Sequence, residues 1–245
     1  RDSSTSRGLG DVYKRQLSFF VVKREERGEF VQGAYRSSAA ILGIAFIQNI
    51  YGTSGMAPLM IIGTVPLYNA FAVIVLSLLK PGQRKMDKAL LQKTLKGIVT
   101  NPIILGIAAG FVWAILKIPQ PEILQKTVKN MAVLATPLGL MAMGASFEGK
   151  KALGKLKPTL IASALKLVVL AAIFLPIAVW LGYRESELVA ILVMLGSATT
   201  VSSFVMARNM GHEGVLTSSI VMVTTLCSAF TLTGWLFLLK TLGLV

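Results

Sequence analysis

The sequence predicts an all-α, polytopic membrane protein built from two inverted repeats. Three observations predict it. Of 245 residues, 54% are hydrophobic and 15% charged, with a mean hydropathy of +0.69, whereas soluble domains hold about 25% charged residues. The apolar residues gather into runs close to the roughly 20 residues that cross a bilayer as a helix. The chain also matches itself without gaps at an offset of 159 residues.

The net charge of +14 comes from Lys and Arg clustered between apolar runs, as in the loops of membrane proteins. Nucleic-acid binding would need that charge spread over a wetted face, so no nucleic-acid partner is expected. One cysteine, Cys227, and one histidine, His212, leave no disulfide and no His pair for zinc. No nucleophile elbow, Walker or dinucleotide motif stands in a suitable setting. Neither enzymatic activity, nor a metal, nor a cofactor is expected.

In chain order, residues 1–16, RDSSTSRGLGDVYKRQ, are polar and patternless. They resemble translated sequencing-adapter read-through and are read as non-native. Residues 17–22 read as the stub of a span, and a shorter apolar stretch runs over 37–51. Candidate spans follow at 56–79, 98–117, 131–147, 158–182, 188–207 and 215–239. Pro66, Pro137 and Pro176 fall inside them, as membrane helices tolerate. Alternating spans place 23–36, 80–97, 148–157 and 208–214 on one side with 15 Lys and Arg, against 5 on the other. The positive-inside rule makes the first side cytoplasmic and puts the C-terminus outside.

The internal match pairs 38–79 with 197–238, including Ser38 with Ser197, Gly52 with Gly211, Gly55 with Gly214, and LYNAF with LCSAF. The paired spans run in opposite directions, the architecture of many secondary transporters. The second repeat, 98–245, holds five spans. The first, 17–80, is read as a remnant lacking two helices and most of a third, joined through a cytoplasmic linker at 81–97. Such a fragment is expected not to transport by itself.

The span 188–207 divides into LVAILVML, GSATTVSS and FVMA, placing Ser197, Thr199, Thr200, Ser202 and Ser203 at mid-membrane. The repeat puts Ser37, Ser38 and Ala39 at the same depth. A helix broken there needs a protein or aqueous lining, and its resumed half offers N–H donors to an anion. Helix packing through small hydroxyl residues is the alternative. Lys166 lies eight residues into a span, about 12 Å deep, and either snorkels to the surface or faces the bundle interior. Arg36 is either a helix-start cation or a partner for a carboxylate. Asn69 is either packing glue or a substrate contact. No Asp or Glu lies deep in a recognisable span, and Glu29 falls in a polar stretch before Ser37.

Taken together, RGEFVQGAYRSSAAILGIAFIQNIYG, TNPIILGIAAG, ATPLGLMAMGASF, SALKLVVLAAIFLP and SATTVSSFVMARNMG followed by VTTLCSAFTLT resemble the fourth, sixth, seventh, eighth, ninth and tenth helices of the auxin efflux carrier (AEC) family. The resemblance implies ten spans in inverted five-helix repeats, similar to bile acid/sodium symporters, with helices crossing at the fourth and ninth spans. It implies a secondary carrier of small organic anions, such as auxin-like acids or malate and malonate, working by alternating access. The bacterial cytoplasmic membrane is the expected location, and the lipid bilayer and the anion are the expected partners. Coupling to a proton or to sodium, and homodimerisation, stay open. A bile-acid-type cation symporter ranks lower for want of deep acids, and a non-transport receptor is the rival from another class. The expected substrate-binding residues are Arg36, Ser37, Ser38, Asn69, Lys166, Ser197, Thr199, Thr200 and Ser202.

Overall fold

The computed structural model describes residues 22–39, 43–53, 57–81, 92, 95–97, 99–100 and 102–245. The expectations for 1–16 and 17–21, and for most of the linker at 81–97, lie outside the described residues. Among the described residues all regular structure is helical. After a 3₁₀ turn at Arg24–Glu26 the helices are α1 (Arg27–Tyr35), α2 (Ile44–Tyr51), α3 (Ala57–Leu78), α4 (Pro102–Ile115), α5 (Glu122–Ala145) and the short α6 (Gly149–Leu153). Then come α7 (Leu156–Trp180), α8 (Glu185–Gly196), α9 (Ser202–Asn209) and α10 (Val215–Thr241). In α7, the segment Leu165–Val169 is a π-helical turn. Windows in α3, α5, α7 and α10 are long and apolar enough to cross a membrane, and α4 is a shorter apolar helix.

The helix bounds recur at the offset found in the sequence. α1, α2 and α3 shifted by 159 residues fall on α8, α9 and α10. The glycine that closes α2, Gly52, and its counterpart Gly211 both have left-handed backbone, at φ 71° and 83°, a conformation in which a side chain is strained.

Both expected interruptions are present. α1 stops at Tyr35 and Arg36 turns extended, at φ −67° and ψ 138°. α8 stops at Gly196 and Ser197 turns extended, at φ −73° and ψ 160°. Residues 198–200 carry no regular structure before α9 resumes at Ser202.

Two expectations need correction. The stretch 23–36 was counted with the segments between spans, although the resemblance started a helix at Arg27; α1 does begin there and buries Gly28, Glu29, Phe30, Gln32 and Gly33. Its polar groups are spent on partners inside the bundle, which a hydropathy reading cannot see. Arg36 is 2% exposed and so is no surface cation. The span expected over 131–147 begins instead at Glu122. Pro121 starts the helix, and Lys126 pairs with Glu122 across one turn at 2.6 Å, so a charged turn extends an apolar helix.

The core lies between α7, α8 and α10, where Ala171, Leu175, Leu188, Leu192 and Leu232 pack together. A second cluster joins α1, α7 and α10 through Phe30, Ala162, Leu216 and Ile220. Close approach is built in at the interruptions: a Cβ on Gly43 would sit 2.9 Å from Cγ1 of Val193. α5, by contrast, exposes nearly its whole apolar length, with Met143 its one buried residue among those described. A face with such composition suits lipid as solvent, where apolar exposure costs nothing.

Candidate substrate site at the crossing of two interrupted helices

The two interruptions meet. The Ser38 N–H donates to the Ala198 carbonyl at 2.9 Å, and the Ser37 and Ser197 hydroxyls are hydrogen-bonded to each other. Thr199 Oγ1 donates to the Gly33 carbonyl at 2.8 Å, and the Thr199 N–H donates to Thr224 Oγ1 at 3.1 Å. Gln32 Nε2 donates to the Ser203 carbonyl at 3.0 Å. Backbone groups freed by breaking a helix away from water need partners worth several kcal/mol each. Here each broken strand supplies them to the other.

Lys166 stands on the π turn of α7 with 0% exposure. Its ammonium donates to the Leu195 carbonyl at 2.8 Å and to the Tyr35 carbonyl at 3.3 Å. Those carbonyls belong to the last turns of α8 and α1, where each helix concentrates about half a negative charge. Lys166 therefore faces the bundle interior and holds both C-terminal ends with one cation.

Arg36 serves the opposite side of the crossing. Its Nη2 donates to Asn69 Oδ1 at 2.7 Å and to Ser202 Oγ at 2.9 Å, and Nη1 lies 3.6 Å from Met206 Sδ. Asn69 is held in turn by donating to the Val65 carbonyl at 2.9 Å. Arg36 Nε is buried without a hydrogen-bond partner, and no carboxylate pairs with Arg36 among the described residues.

A cavity of about 440 Å³ opens beside these groups, within the usual range for small-molecule sites. It is lined by Arg36, Ser37, Ser38, Asn69, Thr200 and Ser202, six of the nine expected residues. Lys166, Ser197 and Thr199 do not line it; their polar atoms are engaged in holding the crossing. The remaining wall includes Val65, Tyr68, Thr136, Val201 and Val205. Sequence reading missed Tyr68 and Thr136. A polar residue in mid-span before Pro137 was the available signal for Thr136, while Tyr68 precedes Asn69 and carries none of its own. Gln32 and Thr224, which support the crossing, were also missed.

A family model described as membrane transport protein, the auxin efflux carrier family domain, matches residues 17–236. The chain belongs to that family. This auxin efflux carrier family member is accordingly an integral membrane protein and a membrane transporter. No curated protein and no solved structure matches the chain.

Outside the spans, the carrier has an ion-pair network at one end of the bundle. Lys155 Nζ lies 2.5 Å from Glu213 Oε2 and 3.1 Å from Glu26 Oε1, and Lys151 lies 3.4 Å from Glu213 Oε1. The hydrogen bond from Lys155 holds the Glu213 carboxyl below its ordinary range. Burial pulls Lys155 down, but its bonds to Glu213 and Glu26 outweigh that and leave it raised.

Proposed function

We propose that this protein is a secondary carrier of small organic anions, with the anion bound at the crossing and exposed alternately to the two sides of the membrane. The observation that carries this is Arg36: a buried guanidinium at a cavity wall, without a carboxylate partner among the described residues and with an unmatched N–H. A buried charge left in that condition is costly, and an arriving carboxylate offsets the cost through charge-assisted attraction. Ser202 begins α9, so the positive end of that helix lies beside Arg36. Asn69, Thr200, Ser37 and Ser38 supply neutral polar contacts that fix orientation.

Lys166 favours a carrier that needs no metal cation at the crossing. Two helix C-termini facing each other in lipid require positive charge, and the ammonium supplies it covalently. That ranks bile-acid-type sodium symport below an uncoupled or proton-coupled cycle. The excess of Lys and Arg on one side supports a C-terminus facing outward, in a bacterial cytoplasmic membrane.

The test is binding of labelled malate, malonate and indole acetate to the purified chain in lipid nanodiscs. Saturable binding that Arg36→Gln weakens at least tenfold is expected. Absence of binding by every carboxylate, or binding indifferent to Arg36→Gln, overturns the proposal.

A further inference from the structure

We infer that the segment joining α5 to α7 is a docking surface for anionic phospholipid headgroups. Residues 146–157, SFEGKKALGKLK, hold four lysines against one glutamate. Glu148 is paired with Lys151 at 2.9 Å, and Glu213 engages both Lys151 and Lys155. Lys150 and Lys157 are exposed and have no carboxylate partner among the described residues. Two cations are left for a ligand of opposite sign.

Apolar side chains stand among them. α6 buries Ala152 and packs on α10, while Leu153 is 66% exposed. Phe147 before it, and Leu156 and Leu160 after it, are exposed as well. That mixture suits the boundary of a bilayer, where apolar side chains enter the acyl region and lysine stems carry their ammonium groups out to the phosphates. A free phosphate would gain nothing from the leucines, whereas a lipid meets both kinds of group. α7 places the segment at the right depth by a separate route. The run from Lys157 to Trp180 covers about 35 Å at 1.5 Å per residue, close to the roughly 30 Å of a hydrocarbon core. Trp180, 83% exposed, and the exposed Tyr183 just beyond it have the character of an interfacial aromatic belt. With Trp180 at one surface, Lys157 and α6 lie at headgroup level at the other. Lysines there are drawn to anionic lipid more strongly than to zwitterionic lipid.

The chain, purified in detergent, is titrated with phosphatidylglycerol and with phosphatidylcholine of the same acyl chains, and bound lipid is counted by native mass spectrometry. Phosphatidylglycerol is expected to bind at least fivefold more tightly. Lys150→Gln/Lys157→Gln is expected to remove that preference. Lys117→Gln/Lys129→Gln takes the same charge from exposed positions at and just before the N-terminal half of α5, and is expected to retain it. Millimolar glycerol 3-phosphate, which carries the phosphate without acyl chains, is expected to leave the lipid bound. Equal affinity for the two lipids, an equal loss in both double variants, or displacement of the lipid by glycerol 3-phosphate overturns the inference.

Discussion

The Ser38 amide and the Ala198 carbonyl, 160 residues apart in sequence, lie 2.9 Å apart in a hydrogen bond. The bond joins the interruption of one helix to that of its counterpart, just past the extended residues Arg36 and Ser197. Two strands that would each be untenable in lipid alone become one paired unit. The Leu195 and Tyr35 carbonyls face the Lys166 ammonium, and Ser37, Ser38, Thr200 and Ser202 line the cavity beside Arg36.

Lys166 provides the first test of that arrangement. Lys166→Ala removes the ammonium and orphans the carbonyls of Leu195 and Tyr35, at roughly 1–3 kcal/mol for each buried acceptor. The loss of the ammonium's own desolvation cost offsets part of this. Thermal unfolding in detergent is expected to shift downward and to be partly restored by millimolar ethylammonium, which fits the vacated volume. Destabilisation that no small amine repairs would mean that the stem, rather than the charge, holds the helices.

Gly43 and Val193 report on how closely the crossing is packed. Gly43→Ala places a methyl 2.9 Å from Val193 Cγ1, and overpacking of this kind costs about 1–3 kcal/mol. Val193→Ala in the same chain is expected to recover most of the loss, giving a favourable coupling in a double-mutant cycle. Additive effects of the two substitutions would contradict the close approach.

Glu29 anchors α10 from α1. Its carboxylate accepts from the backbone N–H groups of Gly214 and Thr217 and from Thr217 Oγ1, each at 2.9 Å. Bonds to a charged group contribute about 1.5–3 kcal/mol each, less when solvent substitutes. Glu29→Ala should therefore cost more than about 2 kcal/mol, and Glu29→Gln less, since one acceptor oxygen survives. Hydrogen exchange at Gly214 and Thr217 is the direct readout, and unchanged rates in Glu29→Ala would refute the anchor.

The network at Lys155 predicts a pH dependence. Because Glu213 is held below its ordinary value of 4.5, its contribution is complete above that value and is lost as pH falls through the depressed one. The Glu213 side chain is 46% exposed, so the contribution stays under about 1 kcal/mol. Unfolding followed from pH 6 to 3 is expected to show a shallower acid loss in Glu213→Gln than in the unaltered chain. Parallel profiles would exclude the network as its source.

The interruptions were legible in sequence because a glycine followed by a run of hydroxyl residues inside an apolar segment favours a break over close packing once the same feature recurs, and the 159-residue offset carried that signal to Ser37 and Ser38. The start of α5 was not legible, since an exposed ion pair and a flanking proline lengthen a helix without changing its apolar stretch. α1 was legible through the family resemblance but not from hydropathy. Glu29, Gln32 and Arg36 look like loop residues until their partners on α3, α9 and α10 are known, and those partners lie 33 to 188 residues away. The depth of Lys166 in its span was readable from residue counting, but whether it faced lipid or bundle depended on the carbonyls it meets.

The most direct measurement places a reporter in the cavity itself. With Cys227→Ser as background, Thr200→Cys introduces a single thiol, and its alkylation by a charged methanethiosulfonate is timed with and without indole acetate. Occupancy of the crossing by the acid predicts at least a fivefold slowing, abolished when Arg36→Gln is added. Alkylation at the same rate with and without the acid, in a chain that demonstrably binds it, would place the anion elsewhere.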